Sequence, residues 1–177
     1  MTAPSARGAL LTLAAIAALL SACSTNSAPS AAPATVTNSL AQCQPLTDDQ
    51  ITQAVHADTL TAHRTPPTCL WNAKNADGEF DITFTYSEHE SLQQLWQRAR
   101  QDGLDTEHVT VVRDVLGTKV TATGFYTHNP ADPGDCAVSA QANGSITWRI
   151  QNHNHTPRAD PCAEALELTT LTVDLSP

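Results

Sequence analysis

Four cysteines, Cys43, Cys69, Cys136 and Cys162, set the tightest limit on how this 177-residue chain folds. An even number of cysteines in an exported domain reads as two disulfides, and four cysteines allow three connectivities. The expected pairing is Cys43–Cys69 with Cys136–Cys162. Each bridge would close a loop of about 25 residues and contribute on the order of 3 kcal/mol in the chain-entropy model. The competing reading, a four-cysteine zinc site, lacks any Cys-x-x-Cys knuckle to support it.

Whether those disulfides form depends on export, and the fifth cysteine bears on that. Arg7 is the only charged residue ahead of an apolar run, Gly8 to Leu20, which is broken only by Thr12. A charged start and a core of about a dozen apolar residues make a secretory signal. The core is short of the roughly 20 residues a spanning helix needs. Leu20-Ser21-Ala22-Cys23 resembles the bacterial lipobox. That resemblance implies cleavage before Cys23, a lipid on its thiol and anchoring through several acyl chains. Residues 1–22 are therefore expected to be a cleaved signal peptide.

Ser24 to Ala41 holds Ser, Ala, Pro, Thr and Asn with little else and no charge. It lacks the apolar content to offset the entropy of ordering, so residues 23–41 are expected to be a lipidated cysteine and a disordered tether. A single disulfide-bonded domain should occupy residues 42–177, long enough to bury a core. Without Arg7 the basic residues number 8 against 18 acidic ones, a net charge of −10. Such a surface repels phosphate backbones, which excludes nucleic acid as an expected partner. The expected attachment to the membrane is through lipid on Cys23, at the extracytoplasmic face of the cell membrane.

The element signals follow in order. Thr47-Asp48-Asp49-Gln50 forms a capping box for a helix over about 47–57, with Leu46 stapling onto Ile51. The segment from there to residue 67, with His63, Arg64, Pro66 and Pro67, reads as a loop. Thr68–Ala73 reads as a strand. Asn75-Ala76-Asp77-Gly78 is a turn, and Phe80, Ile82, Phe84 and Tyr86 alternate with polar residues in a half-buried strand. Ser87 and Glu90 read as the capping box of a second helix, whose Leu92, Leu95, Trp96 and Ala99 fall on one face and which Gly103 can end. Val109–Val112 and Lys119–Thr127 read as strands. Cys136–Ala142 and Ser145–Gln151 form a hairpin around Asn143-Gly144. Its apolar face carries Cys136, Val138 and Ala140 opposite Ile146, Trp148 and Ile150. Asp160 and Pro161 open a last helix, whose end at Thr169–Leu175 reads as helix or strand. The order α-β-β-α-β-β-β-β-α predicts an α+β fold: a mostly antiparallel β-sheet packed against about three helices.

Cys43, Cys69-Leu70-Trp71, Cys136-Ala137-Val138, Ile146-Thr147-Trp148 and Asp160-Pro161-Cys162-Ala163 together resemble a group of actinobacterial secreted lipoproteins. These are known mainly as a domain of unknown function and include mycobacterial Lpr-type proteins. The resemblance covers the signal and nearly the whole domain. It implies a cell-envelope location, this fold plan and the cysteine pairing, and it carries no catalytic residues. The layout also resembles the PsbP-like arrangement of sheet and helices.

Candidate sites are few. His153-Asn154-His155, joined by His128 from another loop, is a candidate metal set, because imidazole suits soft-tolerant metals at neutral pH. A polar loop explains the cluster as well, and no metal or other cofactor is expected. Glu79, Asp81, Glu88, His89 and Glu90 contain carboxylates for acid/base work, yet each has a structural role at a strand face or helix start. Ser139 and Ser145 lack a Gly-x-Ser-x-Gly elbow. Asn143-Gly144-Ser145 matches a glycosylation acceptor, but the turn explains it better. Trp71, Trp96 and Trp148 are expected in the core, with an apolar pocket as the alternative. The expected function is a non-catalytic binding or accessory module of the cell envelope, acting on an envelope protein or component. The alternatives are a carrier or sensor of a small apolar ligand or metal, and an envelope hydrolase.

Overall fold

The alternation of apolar and polar residues in the middle of the chain builds one antiparallel sheet. A computed structural model describes residues 38–154 and 160–173. The seven strands are β1 (Thr59–Thr65), β2 (Thr68–Asn75), β3 (Gly78–Ser87), β4 (Asp105–Val115), β5 (Thr118–Asn129), β6 (Asp132–Ala142) and β7 (Gly144–Asn152). They lie in the order β1-β2-β3-β7-β6-β5-β4, every neighbouring pair antiparallel. Three helices, α1 (Asp48–Ala54), α2 (Leu92–Gln101) and α3 (Pro161–Val173), complete an α+β fold.

One sheet face is apolar. Trp71, Ile82, Phe84, Val138, Ile146, Trp148 and Ile150 are buried there, together with Ile51 of α1 and Leu168 of α3. Phe84 and Trp71 flank Trp148 with ring centroids at 4.8 and 5.6 Å. Both buried indoles find acceptors: Trp148 Nε1 donates to Thr172 Oγ1 at 2.8 Å, and Trp71 Nε1 to Asp48 Oδ1 at 3.1 Å. Indoles buried with their N–H bonded contribute apolar area without a desolvation penalty. Cys43 is joined to Cys69, with Cα atoms 5.5 Å apart, tying the segment before α1 to β2. Cys136 is joined to Cys162 at 5.1 Å, tying β6 to the first turn of α3.

The opposite face presents Thr61, Asn72, Asp81, Thr83, Thr85, Thr147, Arg149, Thr127, Ser139 and Phe125, as the strand registers require. The link from β3 to the far edge strand β4 must cross β7, β6 and β5, and α2 makes that crossing over this polar face.

Four expectations change. The segment read as a loop before residue 67 contains β1, which pairs with β2 throughout from Thr59↔Lys74 to Thr65↔Thr68. In its Thr-rich, mostly exposed sequence only Leu60 and Ala62 pack, partly buried, against the core, too short an alternation to announce a strand. The box that caps α2 is Ser91 with Gln94, one turn later than Ser87 and Glu90, although Ser87 Oγ does accept the Glu90 N–H at 3.1 Å. The β6–β7 hairpin pivots on Asn143 alone, with Gln141 opposite Ser145. A two-residue Asn143-Gly144 loop would have put Val138 opposite Arg149; the observed register puts Val138 opposite Trp148 and keeps one face apolar. The ordered fold starts before Gln42: Leu40 is buried and Asn38 Nδ2 donates to Tyr86 Oη at 3.0 Å, so the expected tether ends short of residue 41. The segment read as helix or strand is helical to Val173. The expected signal peptide, Cys23 and most of the expected tether lie outside the described residues. No helix among the described residues is long and apolar enough to cross a membrane.

A candidate binding groove beside the crossing helix

Trp96 is the one tryptophan that the core does not absorb. It lies on α2, which bridges a polar sheet face, so its indole is only half-buried. The imidazole of His108 on β4 stacks on it with centroids 4.1 Å apart and an interplanar angle of 8°. Phe125 on β5 meets it edge-on at 5.3 Å. His108 and Phe125 are direct cross-strand partners, so the β4–β5 pairing delivers both rings to the helix together. The expectation of three core tryptophans therefore holds for Trp71 and Trp148 and is corrected for Trp96.

An open groove of about 560 Å³ runs beside α2, lined by Leu92, Gln93, Trp96, His108, Phe125 and Gln141. Its apolar surface is formed by Trp96, Phe125 and Leu92, and its polar groups are the amides of Gln93 and Gln141, the hydroxyls of Ser91 and Thr123 and the imidazole of His108. A second hollow, of about 330 Å³, shares Phe125 and is floored by Thr127, Ser139, Asp135 and Arg149. Arg149 grips Asp135 with two hydrogen bonds, Nε at 2.6 Å and Nη2 at 2.5 Å. The hydrogen bond that Arg149 donates to the buried Asp135, outweighing the desolvation of Arg149, holds the guanidinium's pKa above its ordinary value. Ser139 Oγ is bonded to Thr147 Oγ1 at 2.8 Å and has no histidine beside it among the residues lining this hollow.

Among the described residues, the candidate metal histidines His128 and His153 do not converge. His128 lies on the apolar face, opposite Cys136 in the register, with its Nδ1 3.4 Å from Cys162 Sγ. His153 Nε2 lies 3.1 Å from Asp81 Oδ2 on the polar face. His155 lies outside the described residues. Of the carboxylates considered for acid/base work, Glu79 and Asp81 line one open hollow with His153 on the polar face, and Glu88 and Glu90 do not line it. Asp81 takes a hydrogen bond from Asn72 Nδ2 at 2.6 Å, Glu79 pairs with Lys74 at 3.4 Å, and Glu90 pairs with Arg98. Glu88 and His89 are exposed before α2. Ser145 Oγ donates to the Glu90 carbonyl at 2.8 Å.

Sequence reasoning missed His108, Phe125, Gln93 and Gln141. His108 and Phe125 are 17 positions apart along the chain, and only the strand register joins them. Local pattern carries no signal for such a pair.

No curated protein and no solved structure matches the chain. The model of one protein family matches residues 18–175, nearly the whole folded part and the end of the apolar run before it. The chain belongs to that family, the proteins of unknown function DUF3558.

Proposed function

We propose that this protein is a non-catalytic binding module of an actinobacterial cell envelope, tethered through lipid on Cys23 to the outer face of the cell membrane and recognising a neutral envelope partner with the groove beside α2. One observation carries the reading: Trp96 is held half-exposed by the His108 stack and the Phe125 edge while the other two tryptophans are sealed in the core. A preformed aromatic wall with uncharged amides at its rim favours a partner that offers an apolar side chain or ring and hydrogen-bonding groups. The acidic balance of the chain disfavours phosphate-rich partners.

A photo-crosslinking residue placed at Gln93 in the native host tests the groove. The expected result is one discrete adduct that Trp96→Ala abolishes and that the same residue at Thr83, on the open sheet face, does not form. Equal labelling from both positions would remove the groove from the proposal. The anchor is tested separately: Cys23→Ala should abolish labelling by a tagged palmitate analogue, and persistent labelling would overturn it.

The groove's volume of about 560 Å³ also suits a small-molecule site, which keeps a carrier of a small apolar ligand as the second reading. Native mass spectrometry of the protein from its own envelope fraction separates the two. A mass increment lost on denaturation favours the carrier, and a bare mass favours the partner-binding module.

A further inference from the structure

The two disulfides sit in different surroundings. Cys43 and Cys69 are 0% and 1% exposed, sealed in the core. Cys136 is 1% exposed, but its partner Cys162 is only half-buried. Cys162 is the second residue of α3, a 13-residue helix, with its backbone N–H bonded to the Asp160 carboxylate at 3.0 Å. A helix N-terminus favours negative charge on a sulfur placed there. His128 adds an imidazole: its Nδ1 is 3.4 Å from Cys162 Sγ, and a ring nitrogen of His128 and the sulfurs of Cys136 and Cys162 all lie within 4.8 Å of one another.

We propose that Cys136–Cys162 is a thiol–disulfide exchange centre that accepts two electrons from an external dithiol, with His128 as its proton carrier. Cys162 is the less buried of the two cysteines and is the one attacked in this scheme. A thiolate of the external dithiol, its proton released to solvent, attacks Cys162 Sγ and forms a mixed disulfide. The Cys136–Cys162 bond breaks, and its electron pair goes to Cys136 Sγ, which takes a proton from the His128 imidazolium. The second thiol of the external molecule then gives its proton to His128 and attacks the external sulfur of the mixed disulfide. That closes the external disulfide and expels Cys162 as a thiolate beside the imidazolium and the start of α3. The external dithiol is oxidised to a disulfide, and the protein disulfide is reduced to a thiol and a thiolate. The buried pair Cys43–Cys69 has neither an approachable sulfur nor such a placement, so it is a control within the same molecule.

The test uses the full oxidised chain with limiting dithiothreitol at neutral pH, quenched over time with N-ethylmaleimide and read by peptide mass mapping. Cys136 and Cys162 should become labelled about ten-fold faster than Cys43 and Cys69. His128→Gln should slow labelling of Cys136 and Cys162 several-fold and leave the rate at Cys43 and Cys69 unchanged. Simultaneous opening of both pairs, or earlier opening of Cys43–Cys69, overturns the proposal through the wild-type protein alone. An unchanged rate at Cys136 and Cys162 in His128→Gln overturns the role of the imidazole.

Discussion

Trp148 Nε1 and Thr172 Oγ1 are 2.8 Å apart, a buried hydrogen bond that pins α3 to the centre of the sheet. The same hydroxyl donates to the Leu168 carbonyl at 2.8 Å, so the link continues into the helix backbone. Thr172→Val keeps the shape and leaves the indole N–H buried without its acceptor. A loss of about 1–3 kcal/mol is expected, read as a lower denaturant midpoint with an unchanged slope.

The three tryptophans should separate in their cost. Trp148→Ala empties a fully buried site between Trp71 and Phe84 and should cost about 3–5 kcal/mol. Trp96→Ala removes a half-exposed ring and should cost less than half of that. Chemical denaturation of both variants measures the contrast. Equal losses would mean that Trp96 serves the fold rather than the groove.

Glu164, in the first turn of α3, is 9% exposed. Burial, and then the negative charges of Asp160 and Asp77, push its carboxyl up from 4.5 to about 7. The folded state therefore holds a proton that the unfolded chain releases above its ordinary carboxylate pKa. This contribution lowers stability as pH rises from about 4.5 to about 7 and then levels off. Glu164→Gln should flatten that slope and raise stability at pH 8 by on the order of 1–2 kcal/mol. Thermal midpoints of the two proteins at pH 5 and pH 8 provide the check, and parallel curves would contradict it.

Gly144 opens β7 with φ +109°, and a β-carbon there would sit 2.5 Å from the Ser87 carbonyl oxygen and 3.0 Å from Glu88 Cα. Both contacts are backbone and cannot swing aside. Gly144→Ala should cost about 2 kcal/mol or more, measured by denaturant unfolding, whereas Asn143→Ala at the exposed tip should cost less.

The parts of the fold that the chain announces are those with local periodicity. Phe80 to Tyr86 and Cys136 to Ile150 carry their apolar faces in alternation, and the Thr47–Gln50 box caps α1 as read. β1 shows only a trace of such a pattern, at Leu60 and Ala62, because it is an edge strand with little to bury, held by backbone pairing to β2. The pivot of the β6–β7 hairpin departs from the local signal for a related reason. Turn chemistry at Asn143-Gly144 is a local preference, and the burial of Val138, Trp148 and Ile150 outweighs it.

By itself the amino-acid order determined which strands have a buried face, that α2 carries an apolar stripe, and that the chain is acidic, because each follows from neighbours along the chain. Tertiary structure alone decided what that stripe meets. The crossing from β3 to the far edge laid α2 on a polar sheet face, where Phe125 and His108 were the partners within reach. The same pairing of distant segments placed His128 against Cys162 and left His153 on the other face with Asp81. Contacts between residues far apart in the chain are set by strand order and register, which no local window of sequence contains.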